Sequence, residues 1–392
     1  MFACQRDSYA RSFKSTVKSC EPVKFESADA FEVILEDTVL FPEGGGQPDD
    51  RGTVGGVPVK RVVRRGSNAV HIVQEKLDVG AEVETVVDWK RRFDNMQQHS
   101  GQHLITALAI NKWNYKTTSW NLGEAKSFLE LDCKSLPTEQ IDELECMVNN
   151  AILECRPMTP RLVESGSDEL NEIRSRGLPA DHVGPVRVVE IQGIDSNMCC
   201  GTHVSNISHL QAIKLLHTES KRGHTLLYYV AGQRALALLQ RCVDTERQLT
   251  RLLSCGPEEH PQFVDRLLKT QKTTTKVLRN QLVEIAELLV AKHLAEKPPK
   301  PVLSIHREEG DMSFMNALAS GLEGQDVVLF VTCGPDKGPG PFLVAGPADK
   351  VSSLGPKIAK VLDGKGGGRG ARYQGKANSF AKRADAEALL QE

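Results

Sequence analysis

Two short motifs, about a hundred residues apart, limit the fold of this 392-residue chain more than any other feature. His99 and His103 lie four residues apart near the start of a segment with helical periodicity, 94–112, and that spacing places both imidazoles on one helix face. Cys199 and His203 share a tight loop, so a thiolate and a third imidazole are available there. This ligand set is typical of zinc, and the fold is predicted to join the helix and the loop around one metal ion.

Two other kinds of zinc site compete with a reactive one at this spacing. A metalloprotease helix needs a glutamate directly after its first histidine as general base, and this chain has Ser100 there, which argues against a protease. A purely structural zinc is the stronger alternative, because four protein ligands normally close the coordination sphere. The spacing alone does not separate these possibilities.

The remaining pattern predicts an α+β fold. Short β-branched runs at 31–41, 52–65, 69–74 and 82–89 are typical of a small antiparallel barrel or curled sheet, and the glycine-rich stretch after the first run is normally a turn. Farther along, helices and strands are mixed without a βαβ rhythm. The predicted helices are 94–112 and 138–155, the latter capped by Thr138, and the predicted strands are 127–132, 186–191, 212–216 and 225–230.

The C-terminal part predicts a helical hairpin followed by a small α/β module. A leucine-rich helical pattern at 233–297 is interrupted near Gly256 and Pro261, which favours two antiparallel helices that pack on each other. A proline-rich linker at 298–301 follows. The predicted domains are a β-rich domain with the glycine-rich loop, a zinc-binding domain, the helical hairpin linker and the C-terminal α/β domain, at 1–95, 96–232, 233–297 and 298–392.

Composition and charge restrict the partners. With 40% hydrophobic and 26% charged residues the chain is typical of globular proteins, and it holds no apolar stretch near the roughly 18 residues of a membrane span. We expect a soluble cytoplasmic protein with reduced cysteines and no membrane partner. The net charge of -2 hides a segment at 356–383 in which eight basic residues face one acidic residue, a local charge near +7. That glycine-rich segment suits a phosphate backbone.

Specific residues resemble a known family. The run His99-Ser100-Gly101-Gln102-His103, followed by Cys199-Cys200-Gly201-Thr202-His203, resembles the editing domain shared by alanyl-tRNA synthetases and the free-standing AlaX proteins. The family usually has a glycine where this chain has Cys200. The run 40–48 resembles the glycine-rich motif of the longer AlaX forms, and the helical and C-terminal regions follow in the synthetase order. The chain leaves no room for an aminoacylation domain.

The resemblance implies a zinc-dependent deacylase that removes serine from mischarged tRNA(Ala) in trans. Serine differs from alanine by one hydroxyl, and an apolar synthetic site separates such pairs by only about a hundredfold, so a second site must hydrolyse the wrong ester. The implied partner is mischarged tRNA(Ala), not DNA, and the implied cofactor is one zinc per chain. Zinc either lowers the pKa of a water to about 7 or only orders the pocket, and four protein ligands favour the second role.

The same resemblance assigns roles to individual residues. The metal ligands are His99, His103, Cys199 and His203, and the substrate-binding candidates are Gly44, Gly45, Gly46, Gln47, Thr117 and Thr118. One of the two threonines is expected to test for the seryl hydroxyl. The expected tRNA contacts are Lys365, Arg369, Arg372 and Lys376. The alternative is a tRNA- or protein-binding adaptor that keeps a structural zinc without hydrolysis, and the sequence leaves the oligomeric state open.

Overall fold

The computed structural model describes residues 1–174, 184–298 and 300–391, which fall into two compact units, Met1–Glu246 and Arg247–Glu392. The strands of the first unit are β1 (Ser12–Phe25), β2 (Ala28–Leu35), β3 (Gly52–Val54), β4 (Val57–Arg65), β5 (Asn68–Val73), β6 (Glu82–Val87), β7 (Thr117–Asn121), β8 (Ser127–Leu131), β9 (Met158–Val163), β10 (Val186–Ile191), β11 (Asp195–Met198), β12 (Ile213–Lys221) and β13 (His224–Ala231). Its helices are α1 (Ala3–Arg6), α2 (Trp89–Trp113), α3 (Thr138–Leu153), α4 (Glu169–Glu172) and a 3-10 turn at Ile207–Leu210.

Helix α5 (Gln233–Leu253) runs from the first unit into the second. The other helices of the second unit are a 3-10 turn at Pro257–Glu259, α6 (His260–Ala295), α7 (Met312–Gly321), α8 (Ala348–Val361) and α9 (Arg383–Ala388). Its strands are β14 (Val302–Arg307), β15 (Val328–Cys333), β16 (Gly340–Ala345), β17 (Lys365–Arg369) and β18 (Arg372–Ala377).

A closed antiparallel barrel forms the N-terminal part of the first unit, which confirms the predicted barrel. Its strand order is β1-β2-β5-β4-β3-β6. Strand β1 was not predicted from the sequence; it is 14 residues long and pairs with both β2 and β6. A register shift between Val17 and Ser19 marks the bulge at which such a long strand can bend around the barrel. Val33, Val54 and Val62 are fully buried in its core.

The rest of the first unit packs α2 and α3 against the four-stranded antiparallel sheet β12-β13-β8-β7. Leu104 of α2, Leu129 of β8 and Val148 of α3 lie in the same core with no exposed surface. A separate three-stranded sheet has the order β11-β10-β9. Because β11 ends at Met198, the second sequence motif begins directly at the end of a strand.

Two helix boundaries differ from the predictions for identifiable reasons. Helix α2 begins five residues before the predicted start, because the Asp88 carboxylate caps it by accepting a hydrogen bond from the Arg91 N–H at 3.2 Å. It ends where Asn114 adopts a left-handed conformation with φ 59°. Thr138 is not the cap of α3 but its first residue; Pro137 precedes it and gives no side-chain hydrogen bond.

The second unit is built around a five-stranded sheet with the order β14-β15-β16-β18-β17, in which only β14 and β15 are parallel to each other. One face of this sheet is covered by α7 and the end of α6, whose Leu282, Ala286 and Val290 are buried in that core. The other face is covered by α8 and α9. The last turns of α6 therefore belong to the core of the sheet module.

The two helices predicted for 233–297 are present as α5 and α6. No residue of α5 is buried, and Leu239 and Leu252 are 60% and 80% exposed. The predicted packing of the two helices as a hairpin therefore stays a prediction, as do the four predicted domain boundaries. Pro299, within the predicted linker, lies outside the described residues.

The glycine-rich part of the basic segment, 365–377, forms a β-hairpin. Its three consecutive glycines, Gly366–Gly368, lie in β17, which pairs antiparallel with β18 at the edge of the sheet. The Tyr373 ring explains two glycines, because a Cβ at Gly355 or Gly366 would lie 2.4 or 2.8 Å from it. No helix in the described part of the chain combines the length and apolar character that a membrane crossing requires.

Candidate metal centre

The structure brings the two motifs together. The potential ligand atoms of His99, His103, Cys199 and His203 all lie within 4.8 Å of one another. The Cys199 Sγ is 3.5 Å from the His99 Nε2 and 3.2 Å from the His203 Nε2. In tetrahedral coordination with ordinary zinc bond lengths the sulfur and nitrogen ligands are about 3.5 Å apart, so the donor set and its spacing fit zinc.

The imidazole rings of the three candidate histidine ligands lie close together. His99 and His103 are one helical turn apart with ring centroids 5.1 Å from each other, and the His203 ring lies 4.4 and 4.6 Å from these two. Trp120 of β7 covers the His99 ring at 4.7 Å. The cluster is thus enclosed by imidazole and indole rings, with only Cys199 of the four ligands partly exposed.

Hydrogen bonds fix the orientation of two of the imidazoles. The His99 Nδ1 lies 2.8 Å from the Gln47 Oε1, an acceptor, and the His203 Nδ1 lies 3.1 Å from the Ser100 Oγ. When each Nδ1–H donates to its partner, each Nε2 presents its lone pair toward the Cys199 sulfur. Metal-binding histidines are typically oriented by such a second partner.

Burial keeps His203 in the form that a metal requires. Desolvation, followed by the neighbouring His99 and His103 rings, holds the pKa of His203 well below its usual value of 6.5. The imidazole is therefore neutral at physiological pH, and a neutral ring nitrogen is the species that binds a metal ion.

The loop that carries Cys199 is held through its backbone. Buried Arg187 of β10 donates from Nη1 to the carbonyls of Cys199 at 2.6 Å and Gly201 at 2.9 Å, and from Nε to the carbonyl of Gln5 at 3.2 Å. The Gln5 side chain of α1 in turn donates to the Cys200 carbonyl at 2.8 Å. The N-terminal helix therefore forms part of the wall that supports the metal loop.

Two positions of the loop show different side-chain requirements. A Cβ at Gly201 would lie 2.3 Å from the His99 Cε1 and 2.8 Å from the Gln47 Oε1, so only glycine fits without displacing them. Cys200 is exposed, and it is not among the four grouped ligands. The unusual second cysteine therefore leaves the ligand set unchanged.

The glycine-rich loop is a tight turn beside this cluster. The Gly44 N–H donates to the Gln47 carbonyl at 3.2 Å, and the Gln47 N–H donates to the Gly44 carbonyl at 3.1 Å. Gly45 and Gly46 take φ values of 58° and 83°, which favour glycine, and a Cβ at Gly46 would also lie 2.8 Å from the Trp120 ring. The turn lines a cavity of about 750 Å³ together with Phe25.

The Gln47 side chain contacts His99, one of the four candidate metal ligands. It is 1% exposed, its Oε1 accepts from the Thr202 N–H at 3.0 Å as well as facing His99, and its Nε2 donates to the Thr202 Oγ1 at 2.8 Å. The amide group is thus used within the protein. Its predicted part in substrate binding stays a prediction.

The two candidate threonines occupy different surroundings. Thr117 is partly buried, and its Oγ1 lies 2.8 Å from the Oγ1 of Thr106 on α2. Thr118 is exposed and donates to the Glu130 carbonyl of β8 at 3.2 Å. The contact with α2 favours Thr117 over Thr118 as the residue near the cluster.

The predicted tRNA contacts lie in the second unit, on β17 and β18. Lys365 is directly opposite Lys376, and Arg369 is directly opposite Arg372. Like charges opposite each other destabilise a sheet. Such an arrangement is typical of a surface that binds an anion.

Several supporting residues were not identified from the sequence. Gln5 and Arg187 act on backbone carbonyls, for which no side-chain motif exists, and Ser100 was considered only as evidence against a protease. One sequence signal could have identified Ser100 as a supporting residue: it directly follows His99 and therefore lies on the helix that carries both histidines.

Comparisons with known proteins agree with the geometry. Residues 186–226 match a family model described as the threonyl and alanyl tRNA synthetase second additional domain. The chain is 49% identical over 401 residues to the alanyl-tRNA editing protein Aarsd1 of Danio rerio and 48% identical over 404 residues to that of Mus musculus, each match covering 100% of this chain and 97% of the relative. The alanyl-tRNA editing protein AlaX-L of Pyrococcus horikoshii is 25% identical over 288 residues, 71% of this chain and 69% of that protein.

Proposed function

The chain belongs to the alanyl-tRNA editing proteins of the AlaX family, and we propose from this premise that it hydrolyses the ester of mischarged Ser-tRNA(Ala) in trans. The observation that carries the proposal is the convergence of His99, His103, Cys199 and His203 within 4.8 Å beside a glycine-rich turn. An ester in that position would meet a metal centre on one side and backbone amides on the other.

Zinc is the metal that we propose for the site, one ion per chain. Three imidazoles and one thiolate are borderline-soft ligands that suit zinc, and four protein ligands favour an ion that orders the pocket and supplies positive charge. The residues of the chain then bind and orient the ester. The N–H groups of Gly44 and Gln47 are used within the turn, so we assign the substrate contact to Gly45 and Gly46.

The tRNA itself is proposed to bind through the basic hairpin. Lys365, Arg369, Arg372 and Lys376 occupy two cross-strand pairs of like charge, which phosphate groups would neutralise. These contacts select no amino acid, because phosphates are common to every tRNA. Rejection of correctly charged Ala-tRNA(Ala) must therefore come from the pocket in the first unit.

The test is deacylation of purified Ser-tRNA(Ala), with Ala-tRNA(Ala) as the control substrate. We expect faster release of serine than of alanine, and about one equivalent of zinc per chain by elemental analysis. The Cys199→Ala, His203→Ala double variant should lose both zinc and activity. Cys200→Ala, which alters the neighbouring cysteine, is the matched control and should retain both.

An adaptor that binds without hydrolysis is the alternative function. It would bind tRNA(Ala) and retain zinc, yet would release serine no faster than the buffer. A full equivalent of zinc in the Cys199→Ala, His203→Ala variant would contradict the assignment of these residues as zinc ligands. The two results are independent, so the metal and the activity are tested separately.

A further inference from the structure

A chain of hydrogen bonds links the metal-binding helix to β7. The Gln102 Nε2 donates to the Thr106 Oγ1 at 2.9 Å, and the Thr106 Oγ1 lies 2.8 Å from the Thr117 Oγ1. Gln102 and Thr106 are 5% and 4% exposed, whereas Thr117, the last residue of this hydrogen-bond network, is partly exposed. The network therefore leads from the protein interior to a hydroxyl that solvent or a ligand can reach.

The network lies beside the metal centre. At about 100° per residue, Thr106 projects from α2 within roughly 20° of His99 and 60° of His103, so all three share one face of the helix. Gln102 directly precedes His103. Thr106 therefore lies about one helical turn after His103, on the helix face that carries both histidines. Its contact with Thr117 brings Thr117 close to that part of α2.

The chemistry of the groups fixes the first donor of the network. An amide nitrogen only donates, so the Gln102 Nε2 uses the oxygen of Thr106 as its acceptor. Either hydroxyl of the Thr106–Thr117 pair can donate to the other. When the Thr106 proton is directed to the Thr117 oxygen, the Thr117 proton points away from Thr106, and Thr117 presents a donor at the partly exposed end of the network.

We propose that Gln102 and Thr106 are positioning residues that set the Thr117 hydroxyl as the donor for the seryl oxygen of the substrate. The inference rests on the proposed function and deepens it. A seryl group satisfies the donor, whereas the alanyl methyl both displaces water from the Thr117 hydroxyl and leaves this donor without a partner. A site built to hydrogen-bond a hydroxyl discriminates against an analogue that lacks it.

The experiment compares kcat/KM for Ser-tRNA(Ala) and Ala-tRNA(Ala) in four variants. Thr106→Val removes the hydroxyl at nearly constant volume and should reduce the preference for serine roughly two- to tenfold, while Thr106→Ser should restore it. Thr117→Val should lose at least as much. Thr85→Val is the matched control, because the Thr85 hydroxyl donates to the Phe13 carbonyl of the barrel at 2.8 Å, outside the network, and this variant should keep the parent preference.

A binding assay separates positioning from a structural role. Seryl and alanyl amides of 3′-amino-adenosine resist hydrolysis, and the ratio of their dissociation constants should fall in Thr106→Val with zinc content unchanged. Gln102→Glu replaces the donor with an acceptor, reverses the proton order and should also lower the ratio.

If Thr106→Val and Gln102→Glu lower the melting temperature but leave the serine-over-alanine ratios of kcat/KM and of the dissociation constants unchanged, the network only stabilises the packing of β7 on α2. The inference is then wrong. Absence of serine release by the parent chain would instead overturn the proposed function itself. Should Thr106→Val fail to fold, the Thr106→Ser and Gln102→Glu pair decides the question.

Discussion

Gln47 was predicted to bind substrate, but its side chain contacts the candidate metal ligand His99. Its position in the glycine-rich run predicts a substrate contact, but its amide faces His99 and Thr202 and is buried. Both ends of the amide are used, so a substrate would have to compete with the protein for them. We therefore expect Gln47 to act mainly on the metal centre.

Replacement of Gln47 by leucine should weaken zinc binding. The His99 imidazole would lose the acceptor that orients it, and loss of such a partner typically costs about 10- to 100-fold in metal affinity. Competition with a chromophoric chelator measures the effect. Gln98→Leu is the control, since Gln98 is equally buried on α2 but donates to the Ala231 carbonyl. Equal zinc loss in both variants would assign the effect to general destabilisation.

His71 makes stability depend on pH in the barrel. It is fully buried, its Nδ1 lies 3.1 Å from the Val33 carbonyl, and its Nε2 lies 2.9 Å from the Thr38 Oγ1. Burial lowers the pKa of His71 from 6.5 to about 4. Between these values the unfolded chain binds more protons than the folded chain, so the free energy of unfolding falls as pH falls from about 6.5 toward 4.

The His71→Gln variant should have a flatter stability profile. Glutamine can donate and accept hydrogen bonds but takes up no proton, so the parent should lose up to about 3 kcal/mol more than the variant between pH 7 and 4. Urea unfolding of both proteins across this range provides the measurement, and the metal centre is common to both. Parallel profiles would mean that His71 does not contribute to the acid sensitivity.

Among the elements, the short helix α1 matters more than its four residues suggest. Through Gln5 it contacts Arg187 and the Cys200 carbonyl, so the N-terminal helix meets the metal loop. Neither contact uses a residue type that a motif search would select. The loop geometry thus depends on an arginine 12 residues before Cys199 and on a helix whose Gln5 is 195 residues before Cys200.

Arg187→Met should loosen the metal loop. The substitution keeps an apolar stem but leaves the carbonyls of Cys199 and Gly201 without their donor, and hydrogen bonds from a charged group contribute about 1.5 to 3 kcal/mol each. We expect the free energy of unfolding to fall by at least about 2 kcal/mol, and zinc to pass to a chelator faster than in the parent. Unchanged transfer rates in a destabilised variant would show that Arg187 supports the fold only.

Sequence periodicity identified some elements well and missed others for physical reasons. Helix α2 and strand β10 follow from clear patterns, and the bounds of β10 are those predicted. Strand β17 did not follow, because three consecutive glycines indicate freedom when side chains alone are considered. Its conformation is set by pairing with β18 and by the Tyr373 ring, which are tertiary effects.

For the whole molecule, the candidate site was predictable where chemistry depends on residue type. Four ligands at fixed spacing were enough to predict a common site across about a hundred residues of chain. Their support was not predictable, because it uses backbone atoms and partners such as Gln5, 195 residues from Cys200. The exposed leucines of α5 mark the opposite case, in which a clear periodic pattern left the packing partner undetermined.

The hairpin formed by β17 and β18 places basic side chains opposite each other, which lowers the stability of the sheet but suits tRNA binding. Changing Lys365, Arg369, Arg372 and Lys376 to glutamine removes two cross-strand pairs of like charge, each of which destabilises the sheet by roughly 0.2 to 1 kcal/mol. Arg372 also pairs with Glu323 at 3.8 Å and donates to the Ser320 Oγ at 3.1 Å, so the gain and the loss oppose each other and the quadruple variant should keep nearly the parent stability without RNA. It should nevertheless bind tRNA more weakly.

The quadruple variant should raise the KM for Ser-tRNA(Ala) and flatten its dependence on salt. Each lost phosphate contact removes roughly 0.7 to 0.9 from the slope of log affinity against log salt concentration. Turnover at saturating tRNA should change little, because all four metal ligands lie in the first unit. The control replaces exposed barrel lysines, Lys14, Lys18, Lys24 and Lys76, by glutamine, which removes equal charge elsewhere. If both variants flatten the slope equally, net charge rather than the hairpin governs RNA binding.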